Sequence, residues 1–281
     1  MAIVVVCGLL LLGGLTAIVG WGGLGVEAPA LPAADGPRPV LVVIRRYVWT
    51  ISLLLWTTIL AALLVVGPAA RLAMRLLAMT AGAEAQGLRT EADEIVGRIT
   101  SGGTIGIFVF IGLFAGFLSA LSFVVLRRWL PRGRWGGLIL GVLILVIAGS
   151  RIEPLRPDNP DFDLVGPGWL SIVVFSAMVL VTGMAVQAIA GRVSRSLPLP
   201  GPRVRELLPH AVLVFFVPGF VLAGGAILAG AVVVALSRTH IMELFQSRWV
   251  SIAGYVVVGA AAVVGLPGFV SAIVDIAGRG P

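Results

Sequence analysis

The stretch GPGWLSIVVFSAMVLVTGMAVQAIA, Gly166–Ala190, runs 25 residues without a charged side chain. As a helix rising 1.5 Å per residue it is roughly 37 Å long, more than the ~30 Å hydrocarbon core of a bilayer. Six further apolar runs flank it, at Ala2–Leu24, Tyr47–Val66, Thr104–Val125, Gly136–Ser150, Ala211–Leu236 and Val250–Ile273. The expected fold is therefore all-α: a polytopic transmembrane helical bundle of about seven spans, forming a single integral membrane domain over residues 1–281. Gly136–Ser150 is short at 15 residues, and crosses only if the bilayer thins or its flanking arginines snorkel.

Composition points the same way. The chain is 59% hydrophobic and 12% charged, with a mean hydropathy of +1.08, far too little charge to cover the surface of a soluble domain. Trp21, Trp49, Trp129, Trp135, Trp169 and Trp249 fall near span ends, where an amphipathic ring prefers to sit, and only Trp56 lies well inside a run.

All 20 basic residues are arginine. The missing lysine excludes a retinal or pyridoxal phosphate Schiff base and a Walker-type phosphate lysine. The arginines are scattered through short loops and form no basic cluster with interleaved aromatics, so the net charge of +7 reads as membrane orientation and not as nucleic-acid binding. Counted by loop, Glu27–Arg46, Leu126–Trp135, Gly191–His210 and the C-terminal segment carry twelve arginines, and the opposite loops eight. The positive-inside bias then places the protein in a plasma (inner) membrane of bacterial type, with the N-terminus outside and the C-terminus cytoplasmic. The first run resembles a signal peptide only in part, lacking a basic start and exceeding the usual apolar length, and is expected to remain as a helix. The single cysteine, Cys7, cannot form an intramolecular disulfide.

The longest loop, Gly67–Gly103, contains Ala69–Gly82, in which Arg71 and Arg75 share one helical face and Leu72, Leu76 and Met79 another. This pattern predicts an amphipathic helix lying at the membrane interface between spans two and three. Gly112-x-x-x-Gly116 and Gly137-x-x-x-Gly141 allow close helix approach, within the bundle or to a membrane-protein partner or second copy. Pro218-Gly219 and Pro267-Gly268 should kink their helices. Ala211–Ala223 and Ala260–Ala272 match at seven of thirteen positions, a similarity that a chain so rich in Ala, Val and Gly produces by chance.

Chemistry is sparse. No expected span contains Asp, Glu, His or Arg, which counts against proton-coupled pumps. Glu206 with His210 and His240 with Glu243 offer two metal ligands each, but thirty residues separate the two histidines, about 45 Å as a helix. No Gly-x-Ser-x-Gly elbow or His-Glu-x-x-His helix is present. Asp93-Glu94-Ile95-Val96-Gly97-Arg98 resembles the Glu-Glu-x-x-x-Arg motif of the membrane-embedded CAAX-type proteases. That resemblance implies an intramembrane or interfacial hydrolase with Glu91, Asp93, Glu94 and Arg98 as catalytic candidates. It covers six residues, begins with Asp instead of Glu, and lacks the family's histidine spacing, so the chain is not assigned to the family. Read by spacing alone, Glu94 and Arg98 pair across one helical turn.

Asp158, Asp161 and Asp163 bring carboxylates together on a proline-rich loop, the donor type that hard cations favour, and are the metal-ligand candidates. No cofactor is expected. The two acidic loops share one side, where Arg89, Arg98, Arg151 and Arg156 are expected to neutralise them. The leading expectation is a non-enzymatic accessory or scaffold subunit, or a passive permease-like binding protein. In the permease case Ser119, Ser122, Thr182 and Gln187 are the path candidates.

Overall fold

Apolar runs with no water to satisfy their backbone must close their hydrogen bonds internally, and those within the described residues are helical. The computed structural model describes residues 1–30, 39–215, 224 and 247–279. Helix α1 is Ala2–Trp21; α2, Pro39–Ala61, continues through a π-turn, Ala62–Val66, into α3, Gly67–Thr80. Helix α4, Ser101–Gly106, continues likewise through Ile107–Leu113 into α5, Phe114–Leu126. Then follow α6, Arg134–Ala148, the short α7, Asp161–Leu164, and α8, Gly168–Ser196. After α9, Val204–Leu207, and α10, Val212–Phe215, comes α11, Arg248–Ala277. Five of the helical stretches are long and apolar enough to cross a membrane, and α6 is a shorter apolar helix. The expected run Ala211–Leu236, with Pro218-Gly219, lies mostly outside the described residues.

Glycines set the closest contacts. Helices α6 and α8 run antiparallel, and a Cβ placed on Gly183 would stand 2.5 Å from the Gly137 carbonyl oxygen. One turn on, a Cβ on Gly141 would stand 2.8 Å from Leu180 Cα. Gly112 and Gly116 lie against Ala62 and Thr58. Both glycine motifs are thus consumed inside the bundle. Around them lies a core that includes Ile18, Leu54, Val65, Phe123, Leu140 and Val186.

The interfacial helix expected at Ala69–Gly82 is not a separate surface element. Gly67–Thr80 prolongs α2, and Ala70, Arg71, Ala73, Leu77 and Ala78 are buried, packed against α1 and the π-turn that precedes α5. Pro68 cannot donate to the Leu64 carbonyl, and the preceding π-turn absorbs that misfit without a break. Gly14 of α1 sits directly on Leu64, with room of only 2.5 Å between an added Cβ and its oxygen. The amphipathic pattern does not divide water from lipid: Arg71, 6% exposed, faces the bundle. It packs on the side of α1. Arg71 and Arg75 therefore stand in the helix that prolongs the run Tyr47–Val66, beyond the bounds expected for that run.

The same contacts fix which ends coincide. Arg134 donates to the Val19 carbonyl at 3.0 Å, and Arg128 to Ser251 Oγ at 2.7 Å. Trp49 donates to the Leu197 carbonyl at 3.0 Å, and Gly254 lies against the Trp129 ring. Trp21, Trp49, the α5–α6 turn, the end of α8 and the start of α11 therefore share one end. At the opposite end, the Gly168 amide donates to the Arg279 carbonyl at 2.9 Å, and Gly268 approaches Ser150. Since α1 starts at that end as well, Met1 and Arg279 belong to the same end of the bundle. Ser247 lies beside Arg128, whereas residues 237–246 of the loop expected on the acidic side, Ser237–Trp249, lie outside the described residues.

Candidate functional site

Sorted by end, the charges separate. Beside the Trp21 end stand Arg45, Arg46, Arg127, Arg128, Arg132, Arg134, Arg192, Arg195, Arg203, Arg205 and Arg248, against Glu27 and Glu206 among the described residues. The other end carries Glu84, Glu91, Asp93, Glu94, Glu153, Asp158, Asp161, Asp163 and Asp275, with seven arginines.

The acidic end is built from two loops, 81–100 and 149–167. In the first, Arg89 bridges Ile95 and the Thr90 amide donates to the Glu94 carbonyl at 2.9 Å. Asp93, at φ +60°, turns the chain between them, a conformation Asp tolerates better than most residues. This tight turn replaces the helical turn expected for Glu94 and Arg98. Glu94 is directed at the start of α4 instead, so close that an added Cβ on Gly103 would stand 2.6 Å from its Oε1. Arg89 pairs with Asp93 at 2.6 Å, both well exposed.

Arg156 is the hub joining the loops. Its Nη2 donates to both Glu91 oxygens, at 2.5 and 2.6 Å, and its Nε lies 3.5 Å from Glu153 and from Asp158. The Glu91 amide in turn donates to Asp161 Oδ1 at 2.8 Å. Burial pushes the Glu153 and Asp161 carboxyls up from their ordinary values, and the Glu91 N–H partly opposes this at Asp161. Asp163 meets Arg279 at 3.8 Å, and Arg279 also holds Asp275 at 2.8 Å.

The two acidic loops therefore do form one face, and Arg89 and Arg156 compensate it, as expected, with Arg279 as an addition. Arg279 was missed because the C-terminal segment was assigned to the other side. Arg98 and Arg151 make no ion pair among the described residues.

The metal-ligand candidates do not converge. Asp158 turns to Arg156, Asp161 to the Glu91 amide and Asp163 to Arg279, and no three metal-ligating side chains gather among the described residues. The catalytic candidates are similarly dispersed: Glu91 faces Arg156, Asp93 faces Arg89, and Glu94 faces Gly103.

His210 is at the arginine-bearing end. It is 6% exposed, with Nδ1 2.7 Å from Ser52 Oγ and Nε2 3.2 Å from the Pro198 carbonyl. A carbonyl only accepts, so Nε2 carries the proton and Nδ1 accepts from the Ser52 hydroxyl. Burial pulls the His210 pKa down. Glu206 turns away to the Arg203 amide at 3.4 Å, and His240 and Glu243 lie outside the described residues.

Ser119, Thr182 and Gln187 are buried, and Thr182 donates to the Met178 carbonyl at 2.8 Å. Gln187 Oε1 has no hydrogen-bond partner among the described residues. No protein-family model, curated protein or solved structure matches the chain.

Proposed function

We propose that this is a multi-pass protein of a plasma (inner) membrane whose role is assembly: an accessory or scaffold subunit that packs against another membrane protein or a second copy. The observation that carries the reading is the outer face of α1. Cys7, Gly14, Ala17 and Ile18 bury one side of that helix. On the other, Gly13, Thr16 and Gly20 are exposed at helical spacing, and an added Cβ on either glycine would meet nothing within 4 Å. Glycine in a helix interior costs about 1 kcal/mol relative to alanine. A face that meets only lipid tails gains nothing from that cost, whereas small residues let a second backbone approach closely.

Two further observations support assembly over the alternatives. The closed α6–α8 seam, backbone to backbone at Gly137, Gly141 and Gly183, fills the position where a permeation path between those helices would run. The parts of the hydrolase reading stand apart, with Glu91, Asp93, Glu94 and Arg98 at one end and His210 at the other. The arginine-bearing end is the cytoplasmic one in this reading, because eleven arginines there face two acids among the described residues. Helix α1 remains part of the protein.

Oxidative crosslinking in native membranes tests the assembly. Thr16→Cys in a Cys7→Ser background should form an adduct with a second copy or another membrane protein, and Leu15→Cys, exposed but off the glycine row, should form far less. Equal crosslinking at both positions, or none at Thr16→Cys, contradicts the reading.

A further inference from the structure

At the acidic end, a cavity of about 630 Å³ opens between the end of α6 and the last turns of α11, lined in part by Ser150, Arg151, Gly268, Ser271, Val274 and Asp275. Close packing holds the two helices beside it. An added Cβ on Gly265 would stand 2.7 Å from the Val146 carbonyl, and the Leu155 amide donates to the Gly149 carbonyl at 2.8 Å, with Leu155 fully buried. The groove stays open above because residue 268 has no side chain: a Cβ there would be 3.7 Å from Ser150 Oγ and 3.8 Å from Arg151 Nη2.

The polar groups lining the groove are sorted by chemistry. Ser150 and Ser271 supply hydroxyls and Arg151 a guanidinium, all able to donate to an anion. Arg151 gives Nη1 to the Ile147 carbonyl at 2.9 Å and makes no ion pair among the described residues, although nine carboxylates share its end. Asp275 stands across the groove, with Arg279 on its Oδ2 at 2.8 Å. Arg151 lies three residues beyond the end of α6 and Asp275 two before the end of α11, which is head-group level for helices that cross a bilayer. Below the groove, Val263, Leu266, Val270 and Val274 form one exposed stripe along α11, roughly 16 Å long and continuous with the lining at Val274.

We infer that this groove holds a phospholipid with an amine head group, its phosphate on Arg151, Ser150 and Ser271, its ammonium on Asp275, and an acyl chain along the α11 stripe. The phosphate alone would also suit inorganic phosphate; the apolar stripe and the carboxylate specify the lipid. Native mass spectrometry of the detergent-purified full chain, offered equal phosphatidylethanolamine and phosphatidylglycerol, is the test. One retained phosphatidylethanolamine is expected, at least fivefold over phosphatidylglycerol. Arg151→Gln should lower both lipids about tenfold, and Asp275→Asn should remove the preference while leaving phosphatidylglycerol unchanged. Gly268→Leu should block the groove. All three positions are exposed, and an unshifted melting temperature in each variant confirms that the fold is kept. Equal retention of the two lipids, or retention indifferent to Arg151→Gln, overturns the inference. So does displacement of the lipid by millimolar inorganic phosphate, which would mark a site for the free ion.

Discussion

At one end of the bundle eleven arginines face two acids among the described residues; at the other nine acids face seven arginines, and the two ends use charge differently. In the arginine-bearing loops the described ion pairs are few: Arg195 with Glu27 at 2.7 Å and Arg203 with Glu206 at 3.8 Å. Arg128 and Arg134 are held instead by neutral acceptors, Ser251 Oγ and the Val19 carbonyl. At the acidic end Arg156 alone touches three carboxylates, and the charges tie loops 81–100 and 149–167 together. Similar residue types thus join helix ends at one end of the bundle and tie loops together at the other.

The largest expected effect breaks that contrast at the arginine-bearing end. Replacing Arg127, Arg128, Arg132 and Arg134 together by Gln should produce mixed or inverted orientation, read by accessibility of engineered cysteines, whereas Arg89→Gln with Arg156→Gln should leave orientation unchanged. Arg156→Gln should instead lower the melting temperature by a few degrees, because Glu91, Glu153 and Asp158 then repel without compensation. Adding Glu91→Gln should recover part of the loss.

Acid should separate the two ends more gently. His210 has a lowered folded pKa, so the folded state binds protons less readily than the unfolded chain. Its contribution is complete above the unfolded value of about 6.5 and is lost as pH falls toward the folded one. Thermal stability should therefore drop below about pH 6.5, and His210→Gln should flatten that drop. Glu153 has the opposite sign: its carboxyl is raised, so its penalty grows as pH rises from the ordinary glutamate value of about 4.3. Glu153→Gln should gain stability over the natural chain at pH 7 relative to pH 4, a change of a degree or two.

Much of the helical layout was legible. The runs at Thr104, Gly136, Gly166 and Val250 become helices whose starts or ends shift by a few residues, because charge-free length and tryptophan borders are local signals, whereas the run at Tyr47 continues fourteen residues past Val66 to Thr80. What was not legible depends on contacts between distant segments. Nothing local announces that Ser247 belongs beside Arg128. Arg71 looks like a surface cation in sequence because the helix that buries it, α1, is brought to it only by packing. The Glu94–Arg98 spacing suggested a helix, and the left-handed Asp93 removes it. At the acidic end the two loops were correctly placed together, but the hub role of Arg156 depends on a contact with Glu91 across 65 residues.

The central claim is that Met1 and Arg279 share the acidic end, outside, opposite an arginine-bearing cytoplasmic end. In a Cys7→Ser background, single cysteines at Ala2, Gly278, Arg132 and Arg203 can be challenged with a membrane-impermeant maleimide on intact cells. Labelling at positions 2 and 278 without permeabilisation, and at 132 and 203 only after it, is the predicted result. Labelling of position 278 only together with 132 and 203 would contradict the account.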